Sequence, residues 1–214
     1  MTTKLDGPVT IAGDLYVTGT AAVANLSGAD RADLNQESLT PFDMPPESWR
    51  IYDNMDALLP DPPTTGDDIG IVSGTFGSAT PSMQTRDVKA AGAAPHYARR
   101  MFQLPHNYVA GETVTIRLHA GMVTTVADTT ATVDVECYKS DNEGGVSGSD
   151  LCTTSATTCN SLTDADKDFT ITPTSLSPGD WLDIRIAIHI NDAATVTAVK
   201  GIIGRVQLLC DTKG

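Results

Sequence analysis

Basic residues, aromatic residues and long apolar runs are all scarce in this sequence. The 214-residue chain has 14 Lys and Arg against 27 Asp and Glu, a formal net charge of −13, and only 5% of its residues are aromatic. The basic residues are scattered, with no cluster longer than the Arg99–Arg100 pair, which disfavours a nucleic-acid footprint. No apolar run approaches membrane-spanning length. We therefore expect neither nucleic acid nor a membrane among the partners.

The sequence also lacks the spacings of metal sites and cysteine clusters. Its four cysteines form no CxxC pair and have no histidine at ligand spacing, so we predict no metal and no cofactor. Cys137 and Cys210 share the parity of neighbouring apolar residues, which predicts burial as small hydrophobes. Cys152 and Cys159 flank a Ser/Thr-rich loop. A disulfide between them stays open, but we favour free thiols, because no secretion signal follows Met1 and we expect synthesis in the cytoplasm.

Catalytic signatures are missing as well. There is no GxSxG elbow and no paired-carboxylate motif, and the acidic run Asp164, Asp166, Asp168 has Phe169 where a calcium loop needs glycine. The glycine-rich segment 140–150 lacks the Gly-Lys-Ser/Thr of a phosphate-binding loop. We predict no catalytic residues and no enzymatic activity.

The N-terminus contains a hexapeptide repeat. Gly7, Gly13 and Gly19 separate the segments GPVTIA, GDLYVT and GTAAVA, in which small or apolar residues alternate. This pattern predicts short β-strands with one buried face, and three such repeats cannot form a core alone. The face must be covered by a partner or by the rest of the chain. We therefore predict an attachment arm, with the following contact residues: Val9, Ile11, Gly13, Leu15 and Val17.

A proline-rich connector follows the repeat. Six of the 12 prolines lie between Pro41 and Pro63, and this density disfavours regular strand pairing. The connector also carries apolar residues, which predicts that it lies on a protein surface. We assign residues 1–66 to the arm and connector and residues 67–214 to a second domain.

The second domain alternates apolar and polar residues in short segments separated by turns. Such spacing predicts an all-β fold, a jelly-roll β-sandwich. The predicted strands are 69–73, 97–104, 113–122, 131–140, 168–172, 181–190 and 199–209, with weaker candidates at 85–89 and 158–162.

Polar residues occupy the opposite parity on two of these strands. They are Arg117 and His119 on one, and Asp183, Arg185 and His189 on the other. A histidine beside Asp183 would resemble a base with its orienting group, but no nucleophile accompanies it. Outward polar ladders are typical of a solvated sheet or a subunit interface. We predict that these five residues form a subunit interface.

Several segments resemble tailed-bacteriophage virion proteins with a jelly-roll body. They are residues 104–141 (LPHNYVAGETVTIRLHAGMVTTVADTTATVDVECYKSD), 176–188 (LSPGDWLDIRIAI) and 201–214 (GIIGRVQLLCDTKG), together with the N-terminal IAGDLYVTGTA at 11–21. The resemblance implies a homotrimeric capsid decoration, or cement, protein located at the capsid surface of the virion. It implies the major capsid protein as partner and carries over no catalytic residues.

Two other functions stay open on sequence grounds. A phage fibre or spike would use its jelly roll to recognise glycans on the host surface, for which the supply of aromatic residues is small. A cupin-type enzyme would need an inward His/Glu metal cluster, whereas His119 and His189 have outward parity.

Overall fold

The computed structural model describes residues 37–64, 66–193 and 197–213. All of them lie in the second of two compact units into which the chain divides, Met1–Asn35 and Gln36–Gly214. Within the described residues there are 13 strands, one short 3-10 turn at Pro46–Ser48 and no α-helix. No helix in this part of the chain has the length and apolar character to cross a membrane.

The strands form two antiparallel sheets, which we call the small sheet and the large sheet. The small sheet has the order β11-β7-β13-β5-β4, with β1 also paired to β13, and the large sheet has the order β10-β8-β12-β6-β2-β3, with β9 paired to β8. The strand bounds are β1 Glu37–Asp43, β2 Arg50–Ile51, β3 Asn54–Leu58, β4 Gly70–Val72, β5 Ser82–Gln84, β6 Ala90–Gln103, β7 Val114–Val123, β8 Thr130–Ser140, β9 Val146–Ser147, β10 Thr157–Thr158, β11 Ala165–Ile171, β12 Trp181–Asp192 and β13 Lys200–Lys213.

The longer strands alternate between the two sheets along the chain. β6, β8 and β12 lie in the large sheet, and β7, β11 and β13 lie in the small sheet. Each connection therefore crosses from one sheet to the other, as in a jelly-roll β-sandwich. The predicted fold class is confirmed, and so are the seven clear strands. The weaker candidate at 85–89 is wrong, because the strand there is Ser82–Gln84, and the candidate at 158–162 is reduced to Thr157–Thr158.

The core lies between the sheets and is built from the predicted alternation. Every second residue of β7 and β12 is buried, and each such Leu, Ile or Val contributes about 1.5–3 kcal/mol by leaving water. The inward residues of these two strands are Val114, Ile116, Leu118, Ala120, Leu182, Ile184, Ile186, Ile188 and Ile190.

The cysteine predictions hold in part. Cys137 and Cys210 are fully buried, as predicted, and all four cysteines are free thiols. Cys159 is also buried, with 2% of its surface exposed, because its N–H pairs with Ala131 of β8 and draws the loop onto the sandwich. Only Cys152 has the partial exposure expected of a loop cysteine.

The predicted connector is part of the sandwich wherever the structure describes it. β1 pairs with β13 along its whole length, and β2 with β3 forms a hairpin at the edge of the large sheet. Trp49, which lies between β1 and β2 in the chain, is fully buried, and its indole N–H donates to the carbonyl of Met44 at 3.2 Å. A strand that pairs on one side only tolerates proline, so Pro41 does not prevent β1 from forming. The boundary predicted at residue 66 therefore does not separate two folding units among these residues.

Candidate functional site

The outer faces of the two sheets carry the polar residues predicted as an interface. Arg117 and His119 of β7 point outward from the small sheet, while Asp183, Arg185 and His189 of β12 point outward from the large sheet. The structure therefore separates the five residues into two groups on opposite sides of the sandwich. The arm residues Val9, Ile11, Gly13, Leu15 and Val17 lie outside the described residues.

Arg185 is the centre of the group on the large sheet. Its guanidinium carbon lies 4.7 Å from the centroid of the Tyr97 ring, and it also binds the carboxylate of Glu136 on the neighbouring strand β8. Tyr97 in turn packs against Tyr52, with ring centroids 4.8 Å apart, and against the edge of His189 at 6.1 Å. The antiparallel register places Glu136 and Arg99 on either side of Arg185.

A second ion pair lies beside this stack. Arg99 Nε donates to Asp183 Oδ1 at 2.7 Å, and its Nη2 donates to the other carboxylate oxygen. This bidentate contact raises the pKa of the Arg99 guanidinium. A paired fork of this kind fixes the orientation of both side chains, so the outer face of the large sheet presents a preorganised surface.

Two adjoining cavities open between these side chains. One has a volume of about 330 Å³ and is bordered by Tyr52, Asp53, Arg99 and Asp183. The other, of about 250 Å³, is bordered by Tyr97, Asp134 and His189. Glu136 and Arg185 line both cavities, so the two form one cleft, which we call the large-sheet cleft.

Carboxylates at one end of this cleft alter the titration of Tyr52. The Tyr52 hydroxyl donates to Asp67 Oδ2 at 3.4 Å. The negative charge of Asp67, with smaller effects of burial and of Asp53, raises the pKa of the Tyr52 phenol. Tyr52 therefore remains a neutral hydrogen-bonding group at neutral pH.

The outer face of the small sheet has its own ion-pair network. Arg117 binds Asp168 through two hydrogen bonds of 2.6 and 2.7 Å, and His119 Nδ1 lies 2.7 Å from Asp166 Oδ1. Arg205 approaches Asp166 at 3.6 Å. The contact with His119, more than the charges of the two arginines, lowers the pKa of Asp166. Asp166 and Asp168, two of the three carboxylates of the acidic run, are therefore occupied by ion pairs.

A larger cavity lies beside this network. Its volume is about 920 Å³, and it is bordered by His119, Asp164 and Arg205 on one side and by the β4–β5 loop, residues 73–81, on the other. The loop residues that line it are small, namely Gly74, Gly77, Ser78, Ala79 and Thr80. Phe76, at the tip of this loop, is fully exposed.

On both outer faces, charged side chains are paired with one another. Among the described residues, the one hydrogen bond to a histidine side chain joins His119 to Asp166, and no Ser, Thr or Cys hydroxyl or thiol is bonded to a histidine ring. Asp183, the partner considered for a histidine base, is bonded by Arg99 instead. No group of three or more His, Cys, Asp or Glu side chains in the described part of the chain is arranged to hold a metal ion.

The sequence patterns did not identify several residues of the large-sheet cleft. Tyr97 and Arg99 share one parity on β6, which alternation could have shown. Tyr52 and Asp53 lie in the turn between β2 and β3, in a segment predicted to be a connector, and no sequence pattern indicated that this turn reaches the sheet.

The sequence matches no protein-family model and none of the curated proteins. Similar solved structures include the CBM22-1 xylan-binding domain of Paenibacillus barcinonensis Xyn10C, with 12% identity, a TM-score of 0.39, and coverage of 71% of this chain and 85% of that one. They also include Caldicellulosiruptor saccharolyticus CBM27-1 in complex with mannohexaose, with 11% identity, a TM-score of 0.37, and coverage of 79% and 97%. At these identities and TM-scores the likeness carries no argument about the function of this chain.

Proposed function

We propose that the chain is a non-enzymatic structural protein of a bacteriophage particle, a homotrimeric capsid decoration protein that clamps neighbouring capsid subunits. The observation that carries the proposal is the pair of ion-paired outer faces on one sandwich. A cyclic trimer uses a heterologous contact, in which one face of each subunit meets a different face of the next. Arg117 and His119 on one side, with Asp183, Arg185 and His189 on the other, supply two such faces.

The clamp would act through multivalency. Three arms from one trimer bind at high effective concentration, so weak individual contacts add up to a stable attachment. The arm residues Val9, Ile11, Leu15 and Val17 would add strands to an exposed sheet edge of the major capsid protein, where backbone hydrogen bonds supply affinity. The resemblance of the sequence to phage virion proteins supports this assignment of partner.

The test is the binding of the full chain to purified shells that lack it. The unmodified protein should sediment with the shells and raise the temperature at which they rupture. Gly13→Val should bind much less, because the hexapeptide repeat predicts a turn at Gly13, and a β-branched residue is unfavourable where a turn needs the freedom of glycine. Ser149→Val, in an exposed loop of the sandwich, is the control and should bind normally. Equal rupture temperatures with and without the protein would exclude a cementing role.

A second candidate function is recognition of a glycan at the large-sheet cleft. The observation that favours it is the Tyr52–Tyr97 pair beside fixed carboxylate and guanidinium groups. Sugar rings combine apolar faces with hydroxyls, and an aromatic surface flanked by oriented polar groups suits both. Trp181, which is 40% exposed at the start of β12, has the same outward parity.

A glycan array with the full chain separates the two candidates. Under the second candidate, binding should be lost in Tyr52→Ala and kept in Phe76→Ala, which removes an exposed aromatic ring from the loop of the other sheet. Under the first, no glycan is retained by the unmodified protein.

A further inference from the structure

Asp192 places a carboxylate in the apolar row of β12. The inward positions of this strand are Leu182, Ile184, Ile186, Ile188 and Ile190, and Asp192 is the next residue of the same parity. It is 1% exposed. A shift in the pairing of β12 with β6 between Ile190 and Asp192 marks an irregularity at this end of the strand, and such bulges redirect side chains.

The buried carboxylate is only half satisfied. Its Oδ1 accepts the backbone N–H of Asp128 at 2.9 Å, while the buried Oδ2 has no hydrogen-bond partner among the described residues. None of the ion pairs found between described residues includes Asp192. Burying a charge costs several kcal/mol, and buried carboxylates in proteins are accordingly paired or coordinate metals.

A second carboxylate is held beside it. While Asp192 accepts the N–H of Asp128, the Oδ1 of Asp128 accepts the N–H of Ala193 at 2.9 Å and the hydroxyl of Thr129 at 3.0 Å. This reciprocal pair fixes the β7–β8 loop against the end of β12. Asn160 holds the same loop from the other side, through hydrogen bonds of 2.8 and 2.9 Å to the backbone of Ala127. Asp128 is exposed and Asp192 is buried, so a cation would enter from the side of Asp128.

We propose that Asp128 and Asp192 form a calcium site at the end of β12, with Asp192 Oδ2 as its buried ligand. The available donors are carboxylate oxygens, which hard cations such as calcium prefer. Backbone carbonyls and water complete the coordination of a site with two protein carboxylates. This site differs from the acidic run of β11, where Asp166 and Asp168 are occupied by His119 and Arg117.

The affinity should be modest. Calcium binding strengthens with the number of charged ligands and the rigidity of the site, and the weakest protein sites have dissociation constants of about 10⁻⁴ to 10⁻³ M. The cation would neutralise the charge that Asp192 brings into the sandwich and tie the β7–β8 loop to β12. Its effect is therefore on the stability of the fold.

The experiment is thermal unfolding of the full chain, stripped with EDTA and then titrated with CaCl₂ or MgCl₂ alone. Calcium at 10 mM should raise Tm by about 3–10 °C, with the rise beginning at about 0.1–1 mM. Magnesium should raise it less, because its smaller ion demands a stricter octahedral geometry. Asp192→Asn, which keeps the acceptor for Asp128, should abolish the shift, and Asp128→Asn should move the concentration at which the rise begins at least tenfold higher.

Asp134→Asn is the matched control, since Asp134 is an outward carboxylate on β8 that accepts only from its neighbour Val135 among the hydrogen bonds of the described residues. It should leave the calcium shift intact. The proposal is overturned if calcium does not change Tm of the unmodified chain, or if Asp134→Asn weakens the shift as much as Asp128→Asn, which would indicate diffuse binding to an acidic surface. If Asp192→Asn fails to fold, a rise that begins at the same calcium concentration in Asp128→Asn as in the unmodified chain overturns the proposal equally.

Discussion

The guanidinium of Arg185 lies over the ring of Tyr97, with 4.7 Å between the guanidinium carbon and the ring centroid. The two residues are on adjacent strands of the large sheet, and Arg185 also binds Glu136. Because the ring and the carboxylate hold the guanidinium from two sides, the geometry of the large-sheet cleft depends on this one side chain.

A double-mutant cycle should detect the contact. Tyr97→Leu and Arg185→Gln, each measured by urea unfolding, should give a coupling free energy of about 0.5–2 kcal/mol, the range for a partly buried cation–π pair. Tyr97→Leu with Arg117→Gln, on the opposite face of the sandwich, should be additive. A coupling no larger than in this control would show that Tyr97 and Arg185 do not interact.

His96 should make the protein less stable in mild acid. The residue is fully buried on β6, and neither ring nitrogen has a hydrogen-bond partner among the described residues. Burial, reinforced by the charge of Arg86 and only partly opposed by the nearby Ala94 backbone and by Asp67, lowers its pKa from 6.5 to about 4. Between these values the unfolded chain binds more protons than the native one, so stability falls as pH decreases from about 6.5 to about 4.

The size of that loss follows from the shift. The difference between a pKa of 6.5 and one of about 4 corresponds to about 3 kcal/mol of unfolding free energy. His96→Leu should lose the pH dependence in this window and be as stable at pH 7 as the unmodified chain, or more so, because it removes two unsatisfied polar atoms. Urea unfolding at pH 7, 5.5 and 4.5 measures both effects. Equal pH profiles for the two proteins would exclude His96 as the cause.

Replacing each of the four cysteines with serine should change stability according to how deeply the thiol is buried. Cys137→Ser, Cys159→Ser and Cys210→Ser should each destabilise the protein by about 1–3 kcal/mol, because each places a hydroxyl where a thiol is buried. Cys152→Ser should cost little in reducing buffer, since Cys152 is only partly buried. A small effect at Cys159 would contradict its position in the core.

Two strand glycines offer a matched test of packing. A Cβ at Gly70 would lie 2.5 Å from Pro63 Cα and 2.7 Å from the Pro60 carbonyl oxygen, whereas the nearest atom to a Cβ at Gly204 is 4.0 Å away. Gly70→Ala should therefore destabilise by about 1–3 kcal/mol through overpacking against rigid backbone. Gly204→Ala should change the free energy of unfolding by less than about 0.5 kcal/mol. Similar values for the two would mean that residues 60–63 do not pack on β4.

The sequence predicted the parts of the fold in which alternation is regular. β7 and β12 bury every second residue, so their strands, their core rows and the outward positions of Arg117 and Asp183 followed from parity alone. The ion-pair partners of those outward residues did not follow from parity. Arg99 meets Asp183, and Asp166 meets His119, through strand pairing between segments distant in the chain, and parity does not specify which strands are neighbours.

Proline density caused the main error. The segment from Pro41 to Pro63 resembles a linker in composition, yet it supplies an edge strand, a hairpin and the buried Trp49. Proline is compatible with an edge strand and with turns, so its frequency did not distinguish a connector from the margin of a sheet. The surplus of apolar residues in the segment was the better signal.

Truncation should reveal where the folding unit begins. A chain lacking residues 1–36 retains every described strand and should unfold cooperatively, with a Tm close to that of the full chain. A chain lacking residues 1–66 loses β1, β2 and β3 and exposes the core surface that Trp49 covers, a side chain whose removal alone costs about 3–5 kcal/mol. It should be unfolded or aggregated.

Native mass spectrometry of the shorter truncation then tests where the subunits associate. If the outer faces of the sandwich form the interface, the chain lacking residues 1–36 remains a trimer but no longer binds capsid shells. Arg185→Glu in the full chain, which places a like charge opposite Glu136 and breaks the large-sheet cleft, should weaken the trimer, while Ser149→Val should not. A monomeric sandwich after loss of residues 1–36 would instead place the oligomer contacts in the N-terminal repeat.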